Sequence, residues 1–77
     1  MSYKQSYLLQ KLPDEIATLS EQITIAEQRL SNMTFFEQAP DSYQKLAEQT
    51  RKNKEILQNK EETWLELELL HEELNNS

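Results

Sequence analysis

Apolar residues recur along both halves of this chain at alternating steps of three and four. A repeat of about 3.5 residues is typical of the narrow seam of a coiled coil, whereas a globular helix has a broader apolar face. The second half keeps the same phase, although polar residues such as Thr50 and Asn53 occupy some of its seam positions. The two series are Leu9, Leu12, Ile16, Leu19, Ile23, Ala26, Leu30 and Met33, then Tyr43, Leu46, Thr50, Asn53, Leu57, Lys60, Trp64, Leu67, His71 and Leu74. The pattern predicts two long helices packed along one seam.

A connection over residues 32–41 separates the two apolar series. Thr34 and Glu37 have the spacing of a capping box, and Pro40 can begin a new helix. The connection is long enough for the second helix to fold back on the first. We therefore predict an all-α protein, an antiparallel two-helix coiled-coil hairpin with a short helical turn at its tip.

The first arm contains a proline that should interrupt it. Pro13 has no backbone N–H and disfavours helical geometry at Leu12, so we expect a kink or break at that point. Ser2 and Gln5 have the spacing of a capping box for a short opening helix. The expected single domain, residues 1–77, has arm one at about 3–31 with a break at 12–13, a tip at 32–41, and arm two at about 41–74.

The predicted hairpin also sets which residues face each other. A turn centred near residue 38 places Leu12 opposite Trp64 and Ile16 opposite Lys60. We expect Trp64 to be largely buried in the seam. We expect Lys60 to lay its methylene stem along Ile16 and to bring its ammonium group out beside the seam.

Composition excludes several classes of chemistry. A chain of 77 residues has room for one small domain. It has no cysteine for a disulfide or thiolate metal site, and no glycine for a phosphate-binding loop. His71 is the only histidine, and neighbouring acids such as Glu61 and Glu62 point about 100° apart on a helix, too far for a carboxylate dyad. We expect no catalytic residue, metal site or cofactor in this domain.

Nothing in the sequence predicts a membrane protein. No apolar run approaches the roughly 20 residues that span a bilayer. The amino-terminal residues 1–6 lack the apolar core of a signal peptide. We therefore expect a cytoplasmic protein without a membrane partner.

The net charge of −6 is unevenly distributed. Residues 43–60 hold five Lys or Arg residues against two acids, and residues 61–77 hold six acids and no Lys or Arg. One interpretation of the basic segment is a solvated face with i,i+4 pairs such as Glu48–Lys52 and Arg51–Glu55. The other is a nucleic-acid interface that contacts phosphates. The cations that would form it are Lys45, Arg51, Lys52, Lys54 and Lys60.

Several large apolar residues crowd the end of the hairpin opposite the tip. A two-helix seam cannot bury all of them, and contiguous exposed apolar surface usually marks a contact site. We expect them to contact either the rest of a larger protein or a second copy of this chain, as a homodimer. The candidate interaction residues are Leu8, Leu65, Leu69 and Leu70.

Short markers along the chain resemble the C-terminal domain of Uup-type ABC-F ATPases. They are Ser2-Tyr3-Lys4, Leu12-Pro13, Phe35-Phe36 and Trp64-Leu65-Glu66-Leu67. The sequence departs from that family at Gln5, where glutamate is usual, and at Thr50 and Asn53, where seam leucines are typical.

The resemblance implies a piece of a larger ATPase with two ATP-binding cassettes, which would hold ATP and magnesium. It implies that this domain is not itself an enzyme. Members of the family act around ribosomes and nucleic acids, and the Uup-type tail is associated with DNA binding and with supporting the ATPase cycle.

Two functions therefore stay open. One is weak, sequence-independent binding of nucleic acid, either DNA or ribosomal RNA. The other is a structural hairpin that docks on the ATPase cassettes or self-associates. Salt separates them, because binding by charge weakens steeply with salt and apolar docking does not.

Overall fold

The computed structural model describes residues 2–76, nearly all of which lie in three helices. Helix α1 spans Tyr3–Leu30, α2 spans Met33–Gln38 and α3 spans Pro40–Asn76. Helices α1 and α3 pack against each other, and the short α2 contacts both. Residues 2–76 contain no strand. The predicted all-α class is confirmed.

Helix α3 runs back along α1 in the antiparallel sense. Near α2, the Tyr43 hydroxyl donates a hydrogen bond to the Leu30 carbonyl oxygen at 2.8 Å. Far from α2, the Lys60 ammonium lies 2.8 Å from the Glu15 carboxylate. The Cα positions extend over 59 × 15 × 14 Å, as expected for one long helix rising about 1.5 Å per residue beside a second. We call the α2 side of this rod the tip and the opposite side the open end.

The helix starts follow local capping chemistry. At α1, the Ser2 hydroxyl accepts from the Gln5 amide at 3.2 Å and the Gln5 side chain accepts from the Ser2 amide at 3.0 Å, the predicted capping box. At α2, the Asn32 side chain accepts from the Thr34 amide at 3.0 Å. The predicted capping box at Thr34–Glu37 was wrong, because Asn32 is a strong N-cap two residues earlier and places Thr34 inside α2. Pro40 is the first residue of α3, where no N–H is needed.

Helix α1 continues through Pro13, which corrects the predicted break at residues 12–13. A proline inside a helix costs about 3 kcal/mol, because the Leu9 carbonyl loses its donor. Pro13 is exposed, so water can reach the place of the missing donor. The unbroken helix also keeps the buried Leu12 in phase with the rest of the seam. Packing along α1 therefore outweighs the local preference of the proline.

The buried part of the seam is small. Within residues 2–76 the buried apolar residues are Leu12, Ile23 and Leu67. The buried polar residue in the same range is Thr50. The Thr50 hydroxyl donates to the Leu46 carbonyl oxygen at 2.7 Å, so the polar seam position is satisfied within its own helix. A hydroxyl with a partner can be buried at little cost.

Trp64 is half-buried in the seam. Its ring nitrogen is nevertheless shielded from solvent and has no hydrogen-bond partner among residues 2–76. Pro13 and Ile16 of α1 line a groove together with Trp64. A seam of two helices covers one side of so large a ring and leaves part of the other side open, so Trp64 is not buried completely.

An aromatic cluster closes the tip. The rings of Phe35 and Phe36 lie 5.6 Å and 5.0 Å from the ring of Tyr43, measured between centroids. The Arg29 guanidinium lies 5.2 Å from the centre of the Phe35 ring. Such ring pairs contribute about 0.5–1.5 kcal/mol beyond burial, and with the Tyr43–Leu30 hydrogen bond they fix the return of the chain.

A matched pair of isoleucines tests the seam. Ile23 is 5% exposed and Ile25 is 51% exposed on the same helix. Ile23→Ala should lower the free energy of unfolding by about 2–4 kcal/mol, since it leaves a cavity in the seam. Ile25→Ala should change it by about 0.5 kcal/mol or less. Urea denaturation followed by circular dichroism measures both values, and equal effects would contradict this seam.

Candidate nucleic-acid interface

Lys45 and Lys52 are the most available cations of the basic segment. They lie one heptad apart on α3, so that they share a face of the helix. Both are exposed, and within residues 2–76 neither has an ion-pair partner. A phosphate backbone that approached this face would meet two ammonium groups without an ion-pair partner, together with the Glu48 carboxylate that lies between them on the same face.

The other three predicted cations each lie next to an acid. The three pairs differ in the distance between nitrogen and oxygen and in whether they lie within α3 or join α3 to α1. They are Arg51–Glu55 within α3 at 3.4 Å, Lys54–Glu27 across the seam at 3.2 Å, and Lys60–Glu15 across the seam at 2.8 Å.

Two of these pairs can exchange partners easily. The side chains of Arg51 and Lys54 are 64% and 54% exposed, and exposed ion pairs contribute about 0–1 kcal/mol. A phosphate can therefore compete for both cations. Lys60 is different, because its side chain is 33% exposed and its ion pair with Glu15 is the shortest of the three. Its stem is half-buried and its ammonium lies beside the seam, so we do not count it among the phosphate contacts.

Charge is divided along the length of the rod. Residues 16–55, which form the half nearer the tip, hold five Lys or Arg residues and six acids. Residues 2–15 and 56–76, which form the open end, hold three Lys or Arg residues and eight acids. The near-neutral half includes Arg29, which the sequence analysis did not select. It lies on α1, six residues before Phe35 and outside the basic segment of α3 from which the cations were predicted. A polyanion is repelled least from the tip half.

The four candidate interaction leucines do not form one exposed patch. Leu8 and Leu70 are half-buried, whereas Leu65 and Leu69 are 55% and 54% exposed. Leu65 also lines the groove beside Trp64. The predicted register, with Leu12 opposite Trp64, brings the α1 wall of this groove close to Trp64, but the sequence does not show that a groove forms there. The wall consists of Pro13 and Ile16.

Comparison with known proteins places the hairpin in a family. A family model described as the ABC transporter C-terminal domain matches residues 1–69, which include α1, α2 and most of α3. The chain belongs to this family. The family match confirms the prediction, made from the short sequence markers, that this is the C-terminal domain of an ABC protein. No curated protein and no solved structure matches the chain.

The part of this ABC transporter C-terminal domain that the structure describes contains neither a metal-binding cluster nor a membrane-spanning helix. Across residues 2–76, no three His, Asp or Glu side chains lie close enough together to hold a metal ion. None of the helices in the same range has both the length and the apolar character of a bilayer-spanning helix.

The strength of the Lys54–Glu27 ion pair, which decides whether Lys54 is free to bind phosphate in this C-terminal domain, can be measured. A double-mutant cycle with Glu27→Gln and Lys54→Gln should give a coupling of about 0.2–1 kcal/mol in the free energy of unfolding, because the pair is exposed. The coupling should decrease with added salt. A coupling above about 2 kcal/mol would show that Lys54 is held by Glu27 too strongly to bind phosphate.

Proposed function

We propose that this hairpin is the non-catalytic C-terminal coiled-coil domain of an ABC-F type ATP-binding protein. We further propose that it binds nucleic acid, either DNA or ribosomal RNA, weakly and without sequence preference. The family match supports the first part, together with the Ser2-Tyr3-Lys4 and Phe35-Phe36 markers. ATP and magnesium belong to the cassettes of the cytoplasmic parent protein, and the domain needs neither.

The observation that carries nucleic-acid binding is the exposed, unpaired state of Lys45 and Lys52 in the part of the chain that the structure describes. Arg51 and Lys54 lie about 100–180° away from them around α3, on a different face, and can exchange their acidic partners for phosphate. All four lie in the near-neutral half of the rod. Phosphate contacts of this kind position a protein on a duplex without reading its sequence.

The charge balance limits the affinity. Four phosphate contacts at most are available on α3, two on the face of Lys45 and Lys52 and two on the face of Arg51 and Lys54, and the acids of the open end repel the same backbone. We therefore expect a dissociation constant within about 10⁻⁴–10⁻⁶ M, the usual range for non-specific binding. The role is then an accessory one, which adds affinity to a parent protein that binds nucleic acid elsewhere as well.

Fluorescence anisotropy on labelled duplex DNA and structured RNA tests this function. The logarithm of the binding constant should fall with the logarithm of salt concentration with a slope of about −2 to −4, since each phosphate contact releases counterions. Lys45→Gln with Lys52→Gln should weaken binding and reduce the slope by about 2.

The matched control removes the same charge from the open end. Lys4→Gln with Lys11→Gln changes the net charge equally, and its effect should be smaller because both residues lie in the acidic half. Equal losses in the two double variants would mean that only net charge matters. Absence of binding to either nucleic acid at low salt would exclude the proposed interface.

A second candidate function is a structural hairpin that docks on the ATPase cassettes or pairs with a second copy. The exposure of Leu65 and Leu69 favours it. Apolar docking would not weaken with salt, unlike phosphate binding. Sedimentation of the chain at high micromolar concentration distinguishes a homodimer from a monomer that awaits another protein.

A further inference from the structure

A groove lies between α1 and α3 at the open end. It has a volume of about 450 Å³, within the range of about 300–1,000 Å³ typical of binding sites. Pro13 and Ile16 form its α1 side, and Trp64 and Leu65 form its α3 side together with Glu61. We call it the open-end groove. Four of its five lining residues are apolar.

The apolar surface continues beyond the groove along α3. Leu69 follows Leu65 by one helical turn, so the two side chains share a face of α3. Each is more than half exposed. A strip formed by two leucines four residues apart beside a tryptophan has the spacing at which one amphipathic helix lies along another.

Glutamates surround this apolar strip. At 100° per residue, Glu61, Glu62, Glu68 and Glu72 all lie within about 60° of Leu65 around α3. Among residues 2–76, none of the four has a cationic partner. Glu62 accepts one hydrogen bond, from the neutral Gln58 side chain at 3.3 Å.

The cations of the open end do not neutralise this face. Lys11 and Lys60 line a different groove, together with Glu15 and Tyr7. Lys60 is paired there with Glu15, and Lys11 lies 5.9 Å from the centre of the Tyr7 ring. On α3, the apolar strip is therefore bordered by glutamates that have no ion-pair partner among residues 2–76.

We propose that the open-end groove binds a basic amphipathic helix of a protein partner. Leucine-type side chains of that helix enter beside Trp64 and Leu65, and its Lys or Arg residues meet the glutamates of the rim. Apolar burial supplies the affinity, and the opposite charges accelerate association and set the orientation.

Charge also argues against a second copy as the occupant. A two-fold pair through this groove would bring two identical acidic rims together, and like charges across an interface are costly. A basic partner converts the same rim into an attractive feature. The homodimer is therefore the competing outcome of the experiment below.

The probe is a synthetic alanine-rich helical peptide with leucines at positions i, i+4 and i+7 and lysines on both sides of that strip. Trp64 is the only tryptophan of the chain and lines the groove, so its fluorescence reports occupancy. The basic peptide should shift this emission and saturate. A counterpart with glutamate in place of every lysine should bind at least about tenfold more weakly than the basic peptide.

Paired variants show where the peptide binds. Leu65→Ser with Leu69→Ser should weaken binding about tenfold or more, while Ile25→Ser, on an equally exposed apolar residue elsewhere, should leave it unchanged. Glu61→Gln with Glu72→Gln should weaken binding and flatten its salt dependence. The matched control for that charge change is Glu21→Gln with Glu37→Gln. Thermal unfolding by circular dichroism verifies that each variant is folded.

Three results would overturn the proposal. One is the absence of a Trp64 response at about 1 mM basic peptide, which corresponds to negligible affinity. The second is equal binding of the basic and acidic peptides. The third is a Leu65-dependent homodimer that the basic peptide does not displace, which would assign the groove to a second copy. DNA binding should be unaffected by the leucine variants, so this test can fail separately from the nucleic-acid function.

Discussion

The narrow seam between α1 and α3 is the constraint on which the rest of this structure depends. Two helices can cover only one side of each other, so burial is confined to a few residues such as Leu12, Ile23 and Leu67. The same limit leaves Trp64 half-open and Leu65 exposed. The hairpin is thus held together by a thin line of contacts and by the aromatic cluster at its tip. Its long outer surfaces remain available to other molecules.

The two proposed functions assign those surfaces different uses, and both follow the division of charge along the rod. The tip half has exposed cations whose acidic partners are weakly held, which suits a phosphate backbone. The open end has unpaired glutamates around an apolar groove, which suits a basic helix. A C-terminal domain of an ABC protein could in this way contact nucleic acid and a protein at once, with each ligand directed to one end by charge alone.

The sequence predicted the helices well because the 3.5-residue repeat and the Ser2 cap are local signals. It failed at Pro13, where packing along the whole of α1 outweighs a local preference for a break. It also could not show that Lys54 and Lys60 meet Glu27 and Glu15, since these pairs join residues distant in the chain. The groove was not predicted either, although the predicted register placed Leu12 opposite Trp64. One wall comes from each helix, and only the register of the hairpin brings the walls together.

The most direct measurement is amide chemical-shift mapping by NMR of the whole chain, titrated separately with duplex DNA and with the basic helical peptide. The account predicts two separate footprints. DNA should shift residues 45–54 of α3, and the peptide should shift the Trp64 indole N–H together with residues 61–72. Overlapping footprints, or DNA shifts concentrated among the glutamates of the open end, would contradict the claim that charge divides this rod into two binding regions.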